Sequence, residues 1–232
     1  MPPLSPSAPK HQGPPLLLTA GIYTALALCG VLSGKLLAPN VPFAMPYDSV
    51  AKAVAHAQAS AYASRWGSFF QLASAMPLLV FVATATNRLR FLGVRAAGET
   101  IALCGGIVAT AMLAFSALAE WALSTPEMAS LPGGVRVLQL LGFMGGGPGF
   151  VVPLGLFHLG VSITAGLYRF IPKWLMWAGI VLGVCSEIAS LTLITWKAAA
   201  FIPVGRYLGI LWMIAIALSL PNRHSDLAAR VD

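Results

Sequence analysis

The sequence predicts an all-α, polytopic membrane helix bundle with about six transmembrane helices, and three observations carry that reading. The chain is 58% hydrophobic and only 9% charged, whereas a soluble domain keeps roughly a quarter of its residues charged to face water. Its apolar residues fall into runs of about 20, the length a helix needs to cross a hydrocarbon core of roughly 30 Å. The runs are continuous and lack the alternation over ~10-residue segments that marks a membrane barrel.

Residues 1–15 hold six of the 17 prolines, and proline interrupts a helix by removing a donor and clashing with the preceding turn. This segment reads as a cytoplasmic tail, with His11 a tail residue lacking a partner. The run Leu16–Leu37 is too long for a signal peptide, and Pro39 after Ala38 makes a poor cleavage site. It is the first span. Five more follow at 66–86, 99–123, 148–168, 173–195 and 204–221. The membrane domain is therefore 16–221, and 222–232 form a second cytoplasmic tail that includes His224.

The connections add two short surface helices. In the first, Asp48 or Ser49 can cap a helix, and the alanine-rich stretch 49–63 has the propensity to continue it into the second span. In the third, 135–144 is helical in pattern and is ended by Gly145-Gly146-Gly147-Pro148. Unbroken, 135–168 would make a helix of about 50 Å, so the glycines and proline predict a bend before the fourth span. A tight turn at Pro172 joins spans four and five as an antiparallel pair.

The formal charge of +7 fits loops biased toward Lys and Arg, as membrane orientation requires. With the N-terminus inside, eight of the 14 basic residues fall on the cytoplasmic side, including the dense Arg88, Arg90 and Arg95. Trp66, Trp121, Trp174 and Trp196 fall near the expected interfaces. No dense basic run with interleaved aromatics suggests nucleic acid. Cys29, Cys104 and Cys185 lie in apolar segments and read as small buried hydrophobes with free thiols. No Cys/His cluster suggests a metal, and no cofactor motif is present. The run at 145–149 lacks the Lys-Ser/Thr of a phosphate loop.

Ionisable residues within spans are costly and usually face the bundle interior. His158 falls mid-way along the fourth span on a stripe with Gly155, Ser162 and Ala165. Glu187 lies at similar depth on the fifth, with Gly183 and Ser190. Paired, they would move a proton or orient an imidazole toward a ligand; unpaired in function, they would simply fix helix register. Glu120 ends a small-residue stripe of the third span, Gly106, Thr110, Ala114 and Ala117, which is a packing device. Arg65, Arg206, Lys35 and Gln71 reach a similar depth, and each alone reads as an interfacial side chain. Together these seven residues predict a polar cavity in the outer half, floored by His158 and Glu187.

The segments Gly146-Gly147-Pro148-Gly149-Phe150 and Ile171-Pro172-Lys173-Trp174, the stretch 201–212 with Arg206 and Trp212, and the alanine-rich first loop running into Arg65 resemble a family of bacterial multi-span inner-membrane proteins catalogued as a domain of unknown function. The resemblance covers most of the chain from Tyr47 onward. It implies a multi-pass protein of the cell inner membrane and brings no activity or catalytic residue.

Three functions remain open. The first is binding or carriage of a small anionic or amphipathic molecule, a lipid included, in the outer cavity. An alternating-access carrier with six spans and no inverted repeat would then need a homodimer. The second is a structural or sensory membrane subunit without a ligand. The third is an intramembrane enzyme acting on a lipid or isoprenoid-like substrate, with Glu187, His158 or Glu120 as acid or base. No nucleophile or metal motif names its catalytic residues.

Overall fold

The computed structural model describes residues 11–223, and no strand forms among them. Six helices are long and apolar enough to cross a membrane. The protein is a multi-pass helical membrane bundle.

Helix α1 spans Leu16–Leu37. Helix α2 runs without interruption over Val50–Phe91, started by Ser49, whose hydroxyl accepts from the Lys52 amide at 3.3 Å. At 1.5 Å per residue, α2 is about 63 Å long, roughly twice the hydrocarbon thickness. Its first turns, helical as the alanine-rich composition predicts, therefore extend past the hydrocarbon thickness, where Ala53 and Ala57 pack on Val135. Helix α3 covers Ala97–Leu123 and a single turn, Pro126–Ala129, follows. The glycine–proline signal does break the next run, into α4, Pro132–Gly146, and α5, Pro148–Leu167. Pro148 sits at the first position of α5, where a missing N–H costs nothing. Helix α4 does not lie apart on the surface: it packs along α3 and touches α2.

Helix α6 spans Lys173–Leu193, its last turns tightening to a 3-10 helix at Ala189–Leu193. Helix α7, Trp196–Ser219, begins well before residue 204. Counting apolar runs stops at Pro203, but a proline ring clashes with an α-helical carbonyl four residues back, and the chain there, Trp196–Ala200, is a 3-10 helix. Beyond Pro203 the chain widens to a π-turn at Val204–Leu208 before Gly209–Ser219 resumes the α form.

Helix α1 packs on α2, α3 lies between α2 and α5, α5 packs on α6, and α7 closes against α1 and α6. Small residues permit the closest approach. A methyl added at Gly160 of α5 would sit 2.8 Å from the Ala102 Cβ of α3, as expected where packing replaces the hydrophobic drive.

Both ends of the described chain meet at one end of the bundle, where the His11 amide donates to Asn222 O at 3.1 Å. That pairing corrects the expectation for His11. The residue is 5% exposed, its Nε2 donates to Asn87 Oδ1 at 2.8 Å, and its ring meets Phe91 edge-on. Its partners come from the last turn of α2, a juxtaposition of distant segments that residue spacing does not encode. His224 lies outside the described residues. The cysteines need a correction too: Cys29 and Cys104 are free but exposed on outward helix faces, and Cys185 is half-buried. A small hydrophobe suits a lipid-facing surface as well as a core. The end opposite the termini gathers the projecting part of α2, the loop 38–48 and α4, and is termed the vestibule end.

Candidate functional site

The break between α4 and α5 organises the polar residues of the vestibule end. A helix C-terminus leaves carbonyls without intrahelical donors, and in lipid no water is at hand to satisfy them. Arg206, carried on the π-turn of α7, donates through Nη1 to Gly146 O at 3.3 Å. Its guanidinium also stands 5.5 Å from the Phe150 ring centroid. The cation thus caps the negative end of α4. A second side chain closes the same segment from α3: Ser116 Oγ donates to Gly142 O at 2.8 Å. Gln71 Nε2 of α2 in turn donates to Ser116 Oγ at 3.0 Å and to Leu113 O at 3.3 Å.

Glu120 lies one turn from Ser116 and packs on Gly142, where an added methyl would fall 3.2 Å from its Cγ. The structure therefore gathers Gln71, Glu120 and Arg206 around one helix break. Ser116, which links them, is a residue the sequence reading missed. Its signal was available as the position four before Glu120, on the same helix face.

Two hollows flank Glu120. The larger, about 450 Å³, lies between α1 and α2 and includes Lys35, Ser60, Ser64 and Gly67 in its lining. The smaller, about 180 Å³, lies beneath the loop and reaches Val135, Gln139 and Phe143 of α4. Phe43, His56, Ser64 and Glu120 line both, so the two form one vestibule with Glu120 in its wall.

The loop 38–48 straps over this vestibule and is tied at several points. Gln139 Nε2 donates to Ala44 O at 2.8 Å. Arg136 donates to Pro46 O at 2.5 Å and, through Nη2, to Asp48 O. His56 Nδ1 donates to Pro42 O at 3.0 Å, and its ring meets Phe43 edge-on at 5.7 Å. The strap's own base is the ion pair of Asp48 with Lys52 at 2.6 Å. This bond, with the Met45 amide, holds the Asp48 carboxyl below the usual carboxylate range. His56 thus ties the strap to α2 and lines both hollows. Its signal in the sequence is the spacing of His56, Ser60 and Ser64, four apart along α2.

The remaining candidates stand elsewhere. Arg65 is exposed and donates to Ser124 O at 3.4 Å, outside both linings. His158 is 0% exposed, with its ring edge-on to Trp212 at 4.9 Å and packed on the backbone of Gly209. Neither ring nitrogen has a hydrogen-bond partner, and neither does Glu187 Oε1 or Ser162 Oγ. His158 and Glu187 therefore do not bond to each other, and neither lines the vestibule. Equal depth on adjacent antiparallel spans does not fix rotation about the helix axis. His158 turns toward α7, while the Glu187 carboxyl lies beside Gly155.

Among the described residues no three His, Cys, Asp or Glu side chains gather to hold a metal ion. Comparison of the chain with protein-family models, curated proteins and solved structures returns no match.

Proposed function

We propose that the protein binds or carries a small amphipathic molecule in the vestibule between α1, α2, α3 and the strap. One observation carries the reading: a hollow of about 450 Å³ holds a carboxyl group, hydroxyls and an imidazole among apolar walls, under a loop tied down by side chains of α2 and α4. Concave sites with mostly apolar walls and a few placed polar groups are the usual form of small-molecule sites. In the same proposal the protein is a bacterial inner-membrane protein with both termini cytoplasmic, so that the vestibule opens outward.

Two measurements test this. Purification in mild detergent followed by mass spectrometry should recover a stoichiometric small molecule, absent when Ser64→Trp fills the hollow. Equal recovery from both proteins would remove the vestibule as the site. For orientation, Thr125→Cys in a background lacking the three native cysteines should react with an impermeant thiol reagent in intact cells, and Arg169→Cys should not. The reverse pattern would turn the vestibule toward the cytoplasm.

A second reading, a structural or sensory subunit, is favoured by a specific observation. Arg65, Arg136 and Arg206 all donate to backbone carbonyls, which is what fold-maintaining cations do. Under it, no saturable small-molecule binding would be found at any site.

A further inference from the structure

We infer that the vestibule takes a molecule with a cationic, amine-type head on an apolar tail, an inference that rests on the vestibule being a binding site. The sign of the head follows from which groups at this end remain available. Arg65, Arg136 and Arg206 are turned to carbonyl oxygens, and none of them lines either hollow. Lys52 is paired with Asp48. Lys35 lines the larger hollow from the last turn of α1, but it is exposed, where water solvates its ammonium. An anionic head would thus meet one solvated cation at the rim and none deeper.

The inner lining offers acceptors instead. Glu120 is half-buried and is the one carboxyl in either lining. The ion pairs formed among the described residues are Lys52–Asp48 and Arg90–Glu99, so no described Lys or Arg nitrogen stands within 4.0 Å of Glu120. The Arg206 charge acts on it only from beyond that distance, its guanidinium turned to Gly146 O. Ser60 donates its hydroxyl hydrogen to His56 O at 2.7 Å and stands 3.4 Å from Ser64 Oγ, so with its one hydrogen engaged it can offer the hollow only a lone pair. His56 donates through Nδ1 to Pro42 O, so in the neutral ring Nε2 is an acceptor. A carboxylate, hydroxyl lone pairs and an imidazole nitrogen around one hollow suit a donor. An ammonium group supplies three N–H donors together with the counter-charge that a carboxylate removed from water needs. Phe43 and the alanine and valine positions of α1 and α2 leave the rest of the space to an apolar tail.

The test uses three probes with one tail: octylammonium, octanol and octanoate, titrated calorimetrically into the protein in phosphatidylcholine nanodiscs, with empty discs subtracted. Octylammonium should bind saturably at least tenfold more tightly than octanol, and octanoate should bind weakest. Glu120→Gln should remove the preference for octylammonium over octanol, and Glu120→Asp should keep part of it. The wild-type preference alone decides the matter if Glu120→Gln does not fold. Octanol or octanoate binding as tightly as octylammonium, and lost in Ser64→Trp, would leave the vestibule a binding site and overturn the cationic head. The absence of saturable binding by all three probes would overturn both.

Discussion

The helix break at the vestibule end and the α5–α7 core both hold polar side chains within the membrane span, yet they use them in opposite ways. At the break, side chains serve the backbone: Arg206 reaches Gly146 O and Ser116 reaches Gly142 O. In the core around His158 no helix stops. Although α7 widens to a π-turn before Gly209 and Trp212 Nε1 donates to Leu175 O, the polar groups of the α5 face do not serve the backbone. There His158 and Ser162 are 0% exposed and their polar side-chain atoms lack partners. Glycines set this difference twice over. At 145–147 they end a helix and expose carbonyls; at Gly155, Gly183 and Gly209 they let neighbouring helices close so tightly that His158 packs on bare backbone.

The largest expected effect comes from undoing the cap. Arg206→Met keeps much of the aliphatic length over Phe150 but leaves Gly146 O bare. Losing a charged hydrogen bond to a carbonyl that has no substitute should cost about 1.5–3 kcal/mol. Thermal or denaturant unfolding in a fixed detergent measures it. A loss below about 0.5 kcal/mol would mean that Gly146 O finds another donor, and the break would not depend on Arg206.

This contrast also explains what the sequence let one read. Span number, the capped entry to α2 and the break before Pro148 follow from apolar length, Ser49 and glycine–proline chemistry, all local properties. The set Gln71, Glu120 and Arg206 was legible as polar residues of similar depth. What gathers them was not, because it is backbone. Arg206 binds Gly146 O, and Ser116, which takes Gln71, binds Gly142 O; where those carbonyls lie depends on where α4 stops against α7. A His158–Glu187 hydrogen bond does not form, for a related reason. Small-residue stripes identify buried faces, but the neighbour each face receives depends on helix rotation. The strap was hidden too, since Arg136 and Gln139 bind carbonyls of a loop about 90 residues earlier.

A smaller effect, of the opposite sign, is expected in the core. His158→Leu replaces an imidazole without partners by an apolar group of similar volume. Removing unsatisfied polar atoms from a buried site is nearly neutral or stabilising, so stability should stay level or rise by about 1 kcal/mol. A loss of more than about 2 kcal/mol would show that the ring holds a bond, through ordered water, that satisfies its nitrogens. The two regions would then differ in degree rather than in kind.

The smallest effect is a pH dependence confined to the strap. The Lys52 ammonium and the Met45 amide bond the Asp48 carboxylate and favour its charged form. Its folded pKa therefore lies below the unfolded value of about 3.9. A depressed carboxyl pKa contributes stability that is fully present above the unfolded value and is lost as pH falls through the folded one. Protection of the amides in 41–48 against hydrogen exchange, corrected for intrinsic rates, should thus be flat from neutral pH down to about 4.5 and fall below that. Because the pair is exposed, the change should be modest, as for other surface ion pairs. Asp48→Asn should begin with weaker protection and show no further fall over the same range. An equal acid-induced fall in Asp48→Asn would assign the effect to another carboxyl, with Glu120 beneath the strap the first to examine. The strap would then be held from its inner face, by the vestibule it covers, and not from its base.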